Sequence, residues 1–133
     1  MNIICDSTFW ISLYQKDSRN HSQALVYAEK IDILPAKIII PWPSMYVFLD
    51  TKFFRLGELY AKDFTRRIKN PKYDIVKDDR YNRLEAIENT IESKYKPLVD
   101  YIVEKMLEDP SLKIDYIISF RNNPTFMERL YTI

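Results

Sequence analysis

Apolar and polar positions switch between two periods along this chain. Ile3, Ile4 and Cys5 form a short apolar run of the kind buried on both faces of a parallel sheet, and it stops at Asp6, Ser7 and Thr8. Phe9, Trp10, Ile11 and Leu13 then resume at a spacing that suits a helix. After a polar turn over residues 15–20, Ala24, Leu25, Ala28 and Ile31 predict a second helix from His21 to Ile31. Lys37 to Ile40 reads as a strand, ended by Pro41-Trp42-Pro43 because proline has no amide to donate to a sheet ladder. Ser44 is the expected cap of the next helix. Met45, Phe48, Leu49, Phe53, Leu56, Tyr60 and Phe64 predict a buried stripe on one or two helices reaching Lys69, with a break near Gly57. Tyr73 to Val76 is a short strand or extended connection. Tyr81, Leu84, Ile87 and Ile91 share one face of a helix from Asp79 to Lys94. Pro97 suits the first turn of another, whose stripe is Leu98, Tyr101, Ile102, Met106 and Leu107. Asp115 to Ile118 is the last strand, followed by a loop at Asn122-Asn123-Pro124.

Strands separated by helices imply an α/β domain, with a short, mostly parallel sheet, helices on both faces and the first strand near the sheet's centre. Composition narrows this further. With 133 residues, 47% of them hydrophobic, the expectation is a single domain over residues 1–133 with its own core. A lone glycine excludes a glycine-rich phosphate loop. One Cys and one His exclude disulfide frameworks and zinc clusters of the usual spacing. No leader pattern and no membrane-length apolar run stand out, so a soluble, cytoplasmic protein is expected. The net charge is only +1, but between Lys52 and Arg83 ten Lys and Arg face five Asp and Glu. Arg66, Arg67, Lys69 and Lys72 are therefore candidates for following a phosphate backbone, or equally a solvated helical face.

Two carboxylates stand out by position. Asp6 ends a buried strand just before a helix, where open α/β sheets bind ligands, and it also reads as a plain helix cap. Asp100 falls in the first turn after Pro97, where the helix dipole favours an acid by about 0.3–1 kcal/mol whatever its function. If both face one cleft they form a hard-oxygen site for a divalent cation, able to activate water against a phosphodiester.

Four segments carry a resemblance: Ile3-Ile4-Cys5-Asp6-Ser7-Thr8-Phe9-Trp10, Ile40-Pro41-Trp42-Pro43-Ser44-Met45-Tyr46, Pro97-Leu98-Val99-Asp100 and Ile114-Asp115-Tyr116-Ile117-Ile118-Ser119-Phe120. Together and in this order the chain resembles the PIN domain family, the fold of many metal-dependent ribonucleases, toxins of toxin–antitoxin pairs among them. The resemblance implies a PIN-like three-layer sandwich that cuts RNA with acids around Mg²⁺ or Mn²⁺. Asp6 and Asp100 match two of those acids, as catalytic and metal-binding residues, with Ser7 and Ser119 in support. Val47 stands where a Glu is usual, and Arg121, Asn122, Asn123 and Thr125 occupy the loop that usually carries the last acid. Asp50, one turn beyond Val47 and about 4.5 Å further along the axis, is a substitute ligand. Asp78 and Asp79 would need their loop folded over the cleft, and otherwise cap a helix. Asp115 sits at the wrong end of its strand, roughly 13 Å from Ser119. Arg121 would neutralise the two acids or hold an RNA phosphate. The expected function is thus a PIN-like endoribonuclease, a toxin or defence component with an antitoxin or defence-protein partner and homodimer pairing. The alternative is a catalytically degenerate PIN-like module that binds RNA or a protein.

Overall fold

The computed structural model describes residues 1–51, 57–94 and 96–133. Four strands, β1 (Asn2–Cys5), β2 (Lys37–Pro41), β3 (Tyr73–Val76) and β4 (Tyr116–Ile118), form one sheet in the order β3-β2-β1-β4. Every pairing is parallel. Parallel neighbours need crossovers, and the helices supply them: α1 (Ser7–Tyr14), α2 (His21–Ile33), α3 (Trp42–Thr51), α4 (Glu58–Lys69), α5 (Arg83–Ser93), α6 (Leu98–Glu108) and α7 (Pro124–Glu128).

Alternation along the strands divides the interior into two cores. Ile3, Cys5, Ile38, Ile40 and Ile118 pack with Phe9, Trp10, Ala24, Ile31, Phe48 and Phe64 of α1 to α4. Ile4, Ile39 and Ile117 point the other way, against Ala86, Val103, Met106 and Phe126 of α5 to α7. The sheet is therefore the middle layer of three, and β1 is one of its two central strands, as its unbroken apolar run predicts. Cys5 is a buried free thiol whose pKa burial pushes up, so it acts as a small core hydrophobe.

Aromatic side chains dominate the first core. Trp10 meets Phe9 and Phe64 edge-on at centroid distances of 4.9 and 5.3 Å, and Phe48 meets Phe64 at 4.9 Å. Such pairs add about 0.5–1.5 kcal/mol each beyond the area they bury. Polar contacts then fix α4 in place. The Tyr14 hydroxyl donates to Asp63 at 2.7 Å, and Arg67 donates to Asp32 of α2 at 2.8 Å and to the Tyr73 hydroxyl at 3.1 Å.

Several boundaries differ from the sequence expectation. Helix α3 begins at Trp42, before Ser44, because Pro43 in a first turn forfeits no helical hydrogen bond. Met45, Phe48 and Phe64 are buried as expected, while Phe53 and Leu56 lie outside the described residues. Helix α5 starts at Arg83 with Asn82 as its cap, accepting from the Glu85 amide at 3.0 Å, so neither Asp78 nor Asp79 caps it. Its apolar stripe does not face the core: Leu84, Ile87 and Ile91 are exposed and Ala86 is the residue buried. Leu25 of α2 is likewise exposed. No helix among the described residues is long and apolar enough to cross a membrane.

Candidate functional site

All four parallel strands end at one edge of the sheet, and Asp6 and Ser119 follow directly from the central strand β1 and its neighbour β4. Asp6 is the cap of α1, in extended backbone, and accepts from the Phe9 amide at 3.2 Å. The same oxygen accepts from the Thr8 hydroxyl at 2.6 Å, and the other accepts from the Ser119 hydroxyl at 2.5 Å. Both hydroxyls are in turn held by the loop after β4. Phe120 N donates to Thr8 Oγ1 at 2.8 Å, and Arg121 N donates to Ser119 Oγ at 3.0 Å. Two relays thus stitch this loop to a buried carboxylate. Burial raises the Asp6 pKa above the ordinary carboxylate range, opposed by hydrogen bonds from Ser119, Thr8 and the Phe9 amide and by the Arg121 charge.

Asp100, buried in the first turn of α6, has a different set of neighbours. Arg121 Nε lies 3.3 Å from its Oδ1. The Asn123 side chain also favours its charged form, while Asn123 Oδ1 caps α7 by accepting from the Thr125 and Phe126 amides. Burial raises the Asp100 pKa, Arg121 and Asn123 oppose that rise, and the Glu104 charge adds to it. Glu104 is one helical turn on, and Lys96 Nζ pairs with it at 2.9 Å. Asp100, Glu104, Lys96, Arg121, Asn122 and Thr125 line an open cavity of about 420 Å³. Asp6 does not line it; it sits behind, linked to Asp100 through Ser119 and the Arg121 side chain.

The architecture has a known counterpart. The structure of Mycobacterium tuberculosis VapC20, a toxin that cleaves the sarcin–ricin loop, matches with a TM-score of 0.66 over 98% of both chains at 12% sequence identity. The fold is PIN-like. No protein-family model matches the sequence, and no curated protein does.

For a PIN-like fold the implied cofactor is a divalent metal ion, and the donors here do not fit one. Among the described residues no three of His, Cys, Asp and Glu come together as a metal-holding group. Both Asp6 oxygens already accept hydrogen bonds, and a guanidinium lies against Asp100. A divalent ion about 4 Å from that guanidinium would be repelled by roughly 8 kcal/mol at an effective dielectric of 20. Val47 brings an apolar side chain to α3, and Asp50 is exposed on that helix, outside the Asp100 cavity.

The remaining expected residues separate into two groups. The structure joins Asp6 to Ser119 and Asp100 to Arg121, and ties the two pairs together. Ser7 is buried at the start of α1, but the hydroxyls that hold Asp6 belong to Thr8 and Ser119. On α4, Arg66 and Lys69 are exposed. Arg67 is turned inward onto Asp32, Asp63 and Tyr73, and the Lys72 ammonium donates to the Leu34 carbonyl oxygen. Those two cations are engaged in contacts that hold the fold. Asp115 accepts from the Asn2 amide at 2.8 Å, at the sheet edge opposite the site. Sequence reasoning missed Glu104 and Lys96. The Asp100 to Glu104 spacing of one helical turn could have marked the first; nothing local marks the second.

Proposed function

We propose that this protein is a PIN-like module that binds RNA at the Asp100–Arg121 cleft without cutting it by metal-dependent hydrolysis. The observation that carries this is the Arg121–Asp100 ion pair at 3.3 Å, an internal cation beside an acid that the resemblance to the PIN family implies as a metal ligand. Its guanidinium is partly exposed, and Lys96 stands in the same cavity, each cation beside an acid, Asp100 or Glu104, that an entering phosphate would compete with. A guanidinium offers several N–H donors in a plane that matches phosphate oxygens. RNA is the ligand class favoured by the likeness to VapC20, which acts on an RNA loop. A protein antitoxin and an intracellular setting belong to the same reading by the same likeness.

A second reading, a metal-dependent endoribonuclease, draws on one feature: Asp6 and Asp100 are brought to the same end of the sheet. The two readings separate in a single experiment. A mixed RNA pool is incubated with Mn²⁺ and wild-type protein, Asp6→Asn or Asp100→Asn, and retention of labelled RNA is measured in parallel. The binding module gives retention, weakened by added salt and by Arg121→Ala, with the same background cleavage in all three proteins. Manganese-dependent cleavage abolished by both substitutions would overturn it.

A further inference from the structure

We propose that Trp42 and Tyr46 form a stacking platform for an unpaired nucleobase of single-stranded RNA, on the same sheet edge as the Asp100–Arg121 cleft. This inference rests on the RNA-binding reading above and places a second contact for the same ligand. The strand register sets the geometry. Ile4 pairs with Ile39 and Pro41 with Val76, so Asp6 emerges level with Pro41, and Trp42 and Lys77 leave the sheet one residue beyond β2 and β3. From the end of β3 to the end of β4 is three strand intervals, or about 14 Å. The cleft lies at the β4 end of this edge, and the platform lies at the β2–β3 end.

Two aromatic side chains stand exposed at that second end. Trp10 is fully buried, whereas Trp42 is 39% exposed and Tyr46 58% exposed. They stand one turn apart on α3, with ring centroids at 5.4 Å and planes at 68°. Isolated exposed apolar residues are ordinary. Here, however, the two rings form one wall of a crevice of about 320 Å³, completed by Lys77, Arg83, Asp78 and Asp79. That volume is at the lower end of small-ligand sites.

Each group suits a different part of a nucleotide. An exposed ring face stacks a base, a contact that tolerates any sequence because every base has a π face. The Asp78 and Asp79 carboxylates accept hydrogen bonds and donate none, so they match the amino and ring N–H groups on a base edge. The Lys77 ammonium and Arg83 guanidinium match the adjoining phosphate. Two acids offset two bases, so stacking and directed hydrogen bonds, rather than net charge, provide the attraction. The loss on removing a ring should therefore change little with salt.

The test is a titration of the full chain with a short, unstructured, fluorescein-labelled oligoribonucleotide, read by anisotropy and by tryptophan emission. Because Trp10 is buried, quenching on binding reports Trp42. Trp42→Ala should weaken binding about tenfold at both low and high salt, while Trp42→Phe, which keeps a ring, should retain most of the affinity. Melting temperatures of the variants exclude a folding defect. Wild-type affinity in Trp42→Ala, or binding without quenching, overturns the platform and leaves the cleft reading intact. Quenching and binding unaffected by Arg121→Ala overturn the cleft reading and leave the platform standing. No binding of the oligonucleotide overturns both.

Discussion

At Asp6 the carboxylate receives hydrogen bonds from Thr8, Ser119 and the Phe9 amide while burial works in the opposite direction and raises its pKa. The sign of that shift has a consequence for stability. A carboxyl whose folded pKa is raised binds its proton more tightly in the folded protein. Its contribution is fully present below the ordinary value of about 3.9 and is lost as pH rises through the raised one. Asp100 acts in the same sense. Asp109 acts in the other: hydrogen bonds from Ser111 hold its pKa down at about 2, so its contribution disappears as pH falls toward that value. Comparing wild type with Asp6→Asn isolates the first effect, since Asn also caps helices. The stability of wild type relative to Asp6→Asn should rise as pH is lowered from neutral toward about 4, measured by urea denaturation. A difference that shrinks on acidification contradicts the assignment. Ser119→Ala should cost about 1–3 kcal/mol, because it removes the donor to a buried carboxylate oxygen. The importance of Asp6 is legible in the chain, where an apolar run stops at an acid. The resemblance also puts Ser119 in support, but its direct bond to Asp6, 113 residues away, follows only from the pairing of β1 with β4.

The elements themselves follow from periodicity, and their faces do not. Helix α5 has apolar residues at helical spacing, yet Leu84, Ile87 and Ile91 are exposed while the helix packs on α6 through Ala86. Period alone cannot say which side of a helix meets the sheet, since that depends on the direction of the crossover. The same limit applies to α4. Its basic residues look alike in sequence, but Arg67 is half-buried against Asp32 and Asp63 while Arg66 and Lys69 are exposed. Arg67→Ala should cost about 1.5–3 kcal/mol in chemical denaturation, the scale of hydrogen bonds to charged groups. Gly57, before α4, has φ 101° and ψ 163°, a region essentially reserved for glycine. Gly57→Ala should cost about 1–3 kcal/mol through backbone strain alone, since a Cβ there would meet nothing within 4 Å. A melting temperature unchanged by that substitution would show that the backbone relaxes freely.

For the whole molecule, the decisive property is the charge that Arg121 brings into the site. With a guanidinium against Asp100, Mn²⁺ should leave the thermal midpoint of the wild type unchanged. Arg121→Asn removes the internal cation and frees the buried Asp100 carboxylate. That variant should gain a manganese-dependent rise in midpoint that grows with the logarithm of concentration. Equal responses from the two proteins would show that the guanidinium does not govern metal affinity. By itself the sequence determined the element order, the parallel α/β class and the two carboxylates, one ending an apolar strand and one in the first turn of a helix, because strand and helix periods and the chemistry of chain reversal are local. Its resemblance to the PIN family also implies that Val47 and Arg121 stand where acids are usual. Only the tertiary structure decided that Arg121 closes on Asp100, that Thr8 and Ser119 saturate Asp6, and that Arg67 and Lys72 turn inward. Those outcomes depend on which strand ends lie side by side, and chain segments far apart in sequence meet only when the sheet forms.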